Sequence, residues 1–356
     1  MGVIFGVLFH FIGGFASGSF YLPYKKVKKW AWESYWLTGG IFSWVIAPIL
    51  AAALLIPGCR EILHQASAST LFWTYFMGVL WGIGGLTFGL SMRYLGMSLG
   101  MAIALGYCSA FGTLIPPIYA NLFGASYGQV TFTSLLHHLS GRMTLLGVLV
   151  CLIGIAICGK AGMRKEKELT AEQQKDTIEE FNLGKGLLVA TISGILSSCM
   201  AFGLAAGKPL AQAAVKSGVN PLWQNDVVLV VVLLGGLSTN LIWCVILNIR
   251  NKSYGNYTDR RTPLWNNYLF SALAGITWYL QFFFYGMGSS KMGKYDFSSW
   301  TLHMAFIILV SNFWGLYLKE WKGASKKTMT VIFAGIFTVV LSTVIVGYGN
   351  YLASLR

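Results

Sequence analysis

Ten apolar runs, each about 20 residues or slightly longer, leave this chain little choice of solvent. They fall near 3–24, 34–57, 71–92, 95–122, 143–162, 185–206, 222–249, 267–288, 297–318 and 329–350. A helix rises 1.5 Å per residue, so about 20 residues cross a hydrocarbon core of roughly 30 Å. The runs are continuous rather than alternating, which predicts helices and not the strands of a membrane barrel. Trp30, Trp32, Trp36, Trp265 and Trp321 mark run ends, where interfacial aromatics belong. Only 11% of the residues are charged, against about 25% in a soluble domain. That excludes a soluble enzyme, a disordered chain and a secreted disulfide scaffold. Cys108, Cys151, Cys158, Cys199 and Cys244 lie in apolar runs and read as small hydrophobes. No CxxC or Cys/His cluster suggests a metal site.

The formal net charge is +14, from 26 Lys and Arg against 12 Asp and Glu. In a soluble protein this would suggest nucleic acid; here it records orientation. The connections after the odd-numbered runs hold 19 of the 26 basic residues. The positive-inside rule puts those connections in the cytoplasm and both termini on the periplasmic side. Lys25, Lys26, Lys28 and Lys29 follow the first run, so residues 1–24 read as a retained helix rather than a cleavable signal.

Half of the acids crowd between the fifth and sixth runs, which marks a charged cytoplasmic linker over 163–184. It divides the chain into residues 1–162 and 185–356. The two parts share a pattern. At an offset of 180, Gly6, Ile12, Gly14 and Ser17 match Gly186, Ile192, Gly194 and Ser197. At an offset of 197, Trp81, Phe88, Gly89 and Gly96 match Trp278, Tyr285, Gly286 and Gly293. An odd number of spans per repeat inverts the second repeat. The expected fold is an all-α polytopic membrane protein with ten transmembrane helices in two inverted five-helix repeats, a transporter architecture.

Few polar residues remain for the bilayer. Glu33, Glu61, Asp259 and Glu320 fall in loops or at run ends beside basic residues. Asp226 follows Gln224 and Asn225 and reads as part of a helix start. In the ninth run Asp296, Trp300 and His303 share a helical face. In the eighth, Trp278, Gln281 and Tyr285 do the same. His10 lies on a stripe with Gly14, Ser17 and Tyr21, small enough for a helix or ligand to approach closely. Counting residues places His10, Gln281 and His303 at one depth, roughly 10 Å below the outer surface. Pro116-Pro117 is expected to break the fourth run. No Walker sequence, HExxH or GxSxG points to ATP use or proteolysis.

Several longer stretches carry a resemblance: FYLPYKKVKKWAWESYW (20–36), WGIGGLTFGLSMRYLGMSLGMAIALG (81–106), GRMTLLGVLV (141–150), EEFNLGKGL (179–187), WYLQFFFYGMG (278–288), YDFSSWTLHMAF (295–306) and LKEW (318–321). Together they resemble the L-rhamnose–proton symporters, a branch of the drug/metabolite transporter superfamily, over nearly the whole chain. The differences fall in loops, near 123–140 and 163–178. The resemblance implies import of L-rhamnose with a proton across a bacterial inner membrane, with L-lyxose or L-mannose as related substrates. Its partners are then L-rhamnose, protons and the lipid bilayer, not nucleic acid; it needs no cofactor, and a homo-oligomer is left open. Superfamily members with ten helices are usually drawn with both termini inside, whereas the charge count puts these outside. A sugar with several hydroxyls and a methyl group needs aromatic walls and a few polar partners. His10, Trp278, Gln281, Tyr285, Trp300 and His303 fit that substrate-binding role, with Asp296 or His303 taking the coupling proton. The alternatives are a superfamily exporter of amphipathic small molecules and a sugar-binding membrane sensor.

Overall fold

The computed structural model describes residues 2–123, 131–170, 178, 180–292 and 299–355. Among these residues all regular structure is helical. Helices α1 (Gly2–Ser19) and α2 (Tyr21–Tyr24) are followed by α3 (Trp32–Ile41), a π-helical turn (Phe42–Ile46) and α4 (Ala47–Leu55). The short α5 (Cys59–Gln65) leads into α6 (Ala68–Phe123), then α7 (Phe132–His137) and α8 (Leu139–Glu168). After the linker come α9 (Leu183–Ser197), α10 (Cys199–Ala206), α11 (Lys208–Lys216) and α12 (Asp226–Arg250). Helices α13 (Leu264–Met292), α14 (Ser299–Tyr317) and α15 (Lys326–Ser354) complete the order. Seven stretches of the described residues are long and apolar enough to cross a membrane, so the protein is a multi-pass membrane protein.

Helix α6 has 56 residues, far more than the roughly 20 a bilayer core needs. It breaks at Gly96, whose φ of 79° and ψ of 174° suit only glycine. The break exposes the next backbone donors. Met97 N–H donates to Glu320 Oε1 at 3.0 Å and Ser98 N–H to Glu320 Oε2 at 3.1 Å. Lys25 Nζ, just past α2, lies 3.5 Å from the same carboxylate. Glu320 is only 2% exposed. Sequence position suggested a loop acid; in the fold it caps the second half of α6. The Glu320 carbonyl accepts from Lys165 Nζ at 2.6 Å, and that ammonium lies over the rings of Phe181 and Trp321. The ends of α2, α8 and α14 are thereby tied to the Gly96 break.

Pro116 and Pro117 do not end the helix as expected; α6 continues through both. Within a bundle, neighbouring helices re-satisfy the carbonyl that a proline frees, so the interruption is tolerated.

Glycines set the helix contacts. Lipid supplies little drive for apolar faces to meet, so close backbone approach has to supply it. A Cβ at Gly14 would lie 2.5 Å from Phe306 Cβ of α14, and one at Gly18 would lie 2.7 Å from Val310 Cγ1. The small-residue stripe beside His10 is thus occupied by a neighbouring helix. Helices α8 and α15 run antiparallel, with Gly147 against Val346, Gly154 against Val339, and Gly335 against Cys158. At their junction Glu168 accepts from Ser325 N–H and from the hydroxyls of Thr328 and Ser325. Those bonds, the Ser325 N–H first, hold its carboxyl below the usual range.

Glu320→Ala would leave two buried N–H groups unpaired, a cost of about 2–4 kcal/mol. The expected result is a thermal midpoint several degrees lower in detergent, with Glu320→Gln intermediate because its amide oxygen still accepts. An unchanged midpoint for the alanine variant would show that the cap carries no stability.

Candidate functional site

Helices α1, α13 and α14 bring four of the expected side chains together. His10 is fully buried and His303 is 1% exposed. Their ring centroids are 5.9 Å apart. Tyr285 packs on both, at 5.4 Å from His10 and 5.3 Å from His303, and Trp300 lies 5.7 Å from Tyr285. Two glycines make the room. A Cβ at Gly288 would come within 2.7–2.9 Å of three His10 ring atoms, and one at Gly13 within 2.8 Å of His303 Cε1. Among the described residues no side-chain partner satisfies the imidazole nitrogens of His10 and His303 or Trp300 Nε1. Leaving such groups unpaired in a dry interior is costly, and intramembrane ionisable residues are rare outside functional sites.

The other expected residues separate. Gln281 is buried one turn inward from Tyr285 on α13, and its backbone carbonyl packs on Gly13. A Cβ at Gly13 would meet both that carbonyl, at 3.0 Å, and His303 Cε1. Trp278 lies a further turn away and belongs to a second group. Its ring centroid is 4.0 Å from Phe20, 5.5 Å from Trp36 and 5.7 Å from Phe88. Asp296 lies outside the described residues. Asp226 opens α12, as its neighbours Gln224 and Asn225 suggested. Glu33 is 3% exposed and accepts from Ser253 Oγ and Asn251 Nδ2 at 2.6 and 3.0 Å, tying α3 to the end of α12.

Sequence reasoning missed Ser43 and Trp44. Both sit on the π-helical turn, and both carry a buried polar atom without a partner, Ser43 Oγ and Trp44 Nε1. No local residue type announces such a turn; the only signal was Gly39-Gly40 just before it.

Unpaired imidazoles and indoles gathered inside apolar helices, from both ends of one chain, define a multi-pass membrane protein with a polar site in its interior. The family of L-rhamnose-proton symport proteins (RhaT) matches residues 1–352. The L-rhamnose-proton symporter of Yersinia pestis (strain Pestoides F) is 42% identical over 351 residues, covering 98% of each chain. That of Salmonella paratyphi A (strain ATCC 9150 / SARB42) is similar to the same extent, 42% over 351 residues and 98% of each chain. The chain belongs to the L-rhamnose-proton symport protein family, whose members are transporters rather than enzymes.

Gly288→Ala places a methyl group against the His10 ring. The expected outcome is displaced ¹⁵N signals for the His10 imidazole in histidine-labelled protein, with those of His64, His137 and His138 unmoved. Overpacking of this kind costs roughly 1–3 kcal/mol. A spectrum identical to wild type would mean that the ring does not rest on Gly288.

Proposed function

We propose that this chain imports L-rhamnose together with a proton by alternating access across a bacterial inner membrane, with L-lyxose and L-mannose as candidate further substrates. The full-length likeness to proteins named L-rhamnose-proton symporter carries the reading. The unpartnered His10–His303 pair supports it, because a proton-coupled sugar site needs titratable and hydrogen-bonding groups away from bulk water.

In this reading Tyr285 and Trp300 form apolar walls, with Trp278 further in. His10, Gln281 and His303 supply hydrogen bonds to hydroxyls. His303 takes the coupling proton; Asp296 shares that role on sequence grounds alone. Imidazole suits the task because its ordinary pKa lies near neutrality. Sugar binding then favours occlusion, and one repeat rocks against the other.

Ten spans in two inverted repeats, 1–162 and 185–356 joined by the linker 163–184, are part of this proposal. The break at Gly96 divides one long stretch in two. Helices α13 and α14 add two more, α13 with 29 residues and α14 with 19. Contacts also recur between the halves. Ser193 Oγ donates to the Gly84 carbonyl at 2.9 Å. Gly13, at an offset of 180 from Ser193, packs on the carbonyl of Gln281, at an offset of 197 from Gly84. Likewise Gly14 packs on Phe306 and its counterpart Gly194 on Tyr107. The first pair of contacts follows the offsets 180 and 197; in the second the partners Tyr107 and Phe306 are 199 apart. The charge count places both termini in the periplasm.

Proteoliposomes holding the purified protein are expected to take up labelled L-rhamnose, faster under an inward proton gradient, and to alkalinise the medium as sugar enters. His303→Gln is expected to lower gradient-driven accumulation by about tenfold or more, the size of effect typical of losing a positioned proton carrier. A variant that still alkalinises the medium on sugar addition removes His303 from the coupling role. Wild-type protein that moves no L-rhamnose under either condition sinks the whole reading.

A further inference from the structure

The histidine group does not account for every unpaired polar atom in the interior. A second set surrounds a cavity of about 10 Å³ between α3, the π-helical turn and α13. Its lining includes Trp36, Gly39, Ser43, Trp44, Gly275 and Trp278. Three of these carry buried side-chain atoms with no hydrogen-bond partner among the described residues: Ser43 Oγ, Trp44 Nε1 and Trp278 Nε1. The volume is about that of one water molecule or one hydroxyl group.

The surrounding core shows that such groups can be satisfied. Trp36 Nε1, on the same wall, donates to Asn240 Oδ1 at 2.9 Å, and Asn240 Nδ2 donates to the carbonyls of Gly82 and Gly236. Other unpaired buried indoles, at Trp30, Trp32 and Trp300, lie outside this cavity, so what marks it is that two indoles and a hydroxyl meet there. The backbone is specialised at the same place. A π-helical turn inserts a residue into the helical ladder and is frequent at functional sites. Gly39 and Gly275 meet backbone to backbone, and Tyr24 and Gly40 complete the cavity lining between the turn and α13. Phe20 and Phe88 pack on the Trp278 ring and fix its place in the core.

We propose that this cavity is a hydroxyl-binding subsite for the transported sugar, formed by Ser43 and Trp44 of the π-helical turn with Trp278 of α13. The inference rests on the sugar-import reading given above and deepens it. One sugar hydroxyl enters the cavity, accepting from the indole N–H groups and meeting the Ser43 hydroxyl. The rest of the ring lies toward Gln281, one turn along the same face of α13. Trp278 and Tyr285 are seven residues apart, about 10 Å along the helix. The subsite thereby holds one hydroxyl at the Trp278 end of this face of α13, while His10 and His303 stand at its Tyr285 end. A cavity of one hydroxyl's volume, rather than a whole sugar's, fits a closed arrangement in which α3 and α13 part to admit the ring.

The test compares L-rhamnose with its 2-, 3- and 4-deoxy analogues in proteoliposomes of the full chain. Wild-type protein is expected to show a raised KM for the one analogue that lacks the docked hydroxyl. Trp44→Phe keeps a ring but removes the donor; Ser43→Ala removes the hydroxyl with little change of volume. Each is expected to raise KM for L-rhamnose by about tenfold, the loss of one hydrogen bond. Each should also erase the penalty for that one analogue while leaving the other penalties in place. Trp30→Phe is the control, since Trp30 Nε1 is also unpartnered but lies outside the cavity. A purely structural role would raise KM for every sugar alike or lower the thermal midpoint without changing the analogue pattern. Such a result, or an unchanged KM in both variants, would assign the cavity to a structural water and overturn the subsite. Loss of L-rhamnose uptake by wild-type protein would instead strike the import reading first, and the two failures are distinct.

Discussion

Hydrocarbon offers no hydrogen bonds to a broken helix, and much of this fold follows from meeting that constraint. The break at Gly96 lets one overlong helix turn back within the bundle. It also leaves backbone donors that water cannot reach. Glu320 answers them with both carboxylate oxygens, from a connection more than two hundred residues away in sequence. Because that carboxylate also faces Lys25, and its carbonyl faces Lys165, one cap joins four helix ends. The solution is electrostatic as well as geometric. A buried carboxylate needs donors as much as the donors need an acceptor.

Packing follows a related logic. Apolar side chains gain little by meeting one another in lipid, so close approach of backbones decides which helices pair. Gly13, Gly14 and Gly18 bring α1 onto α13 and α14; Gly147, Gly154 and Gly335 join α8 to α15. The same close approach has a chemical consequence. Where Gly13 and Gly288 remove side chains, two imidazoles fill the space, sealed from solvent and without partners. Other unpaired polar atoms among the described residues, at Trp30, Trp32, Thr74, Ser271 and Tyr279, stand outside the two groups in which several meet.

Two such places share one face of α13. Tyr285 belongs to the histidine group and Trp278 to the cavity at the π-helical turn, with Gln281 between them. Helix α1 contributes to the histidine group, α3 and the π-helical turn to the cavity, and α13 to both, so in the proposed reading a movement of α13 alters the two groups together.

The membrane-spanning character of the chain and its family were legible in the sequence because they depend on local quantities. Run length sets whether a segment reaches across lipid, and helical spacing sets which residues share a face. Trp278, Gln281 and Tyr285 did fall on one face, and His303 did stand beside Trp300's neighbour Tyr285. The pairing of His10 with His303 was not local; it depends on glycines in two other helices. The burial of Glu320 was hidden because its partners are backbone N–H groups that only a distant break makes available. Pro116-Pro117 misled because a proline's cost is set by what surrounds the freed carbonyl. The π-helical turn at 42–46 left no mark, since its residues are ordinary helix formers and the distortion is held by packing. The sequence by itself determined the solvent, the family and which side chains had chemistry to offer. Tertiary structure decided which of them meet, because hydrogen-bond satisfaction and close backbone approach are properties of contacts between helices and not of any one helix.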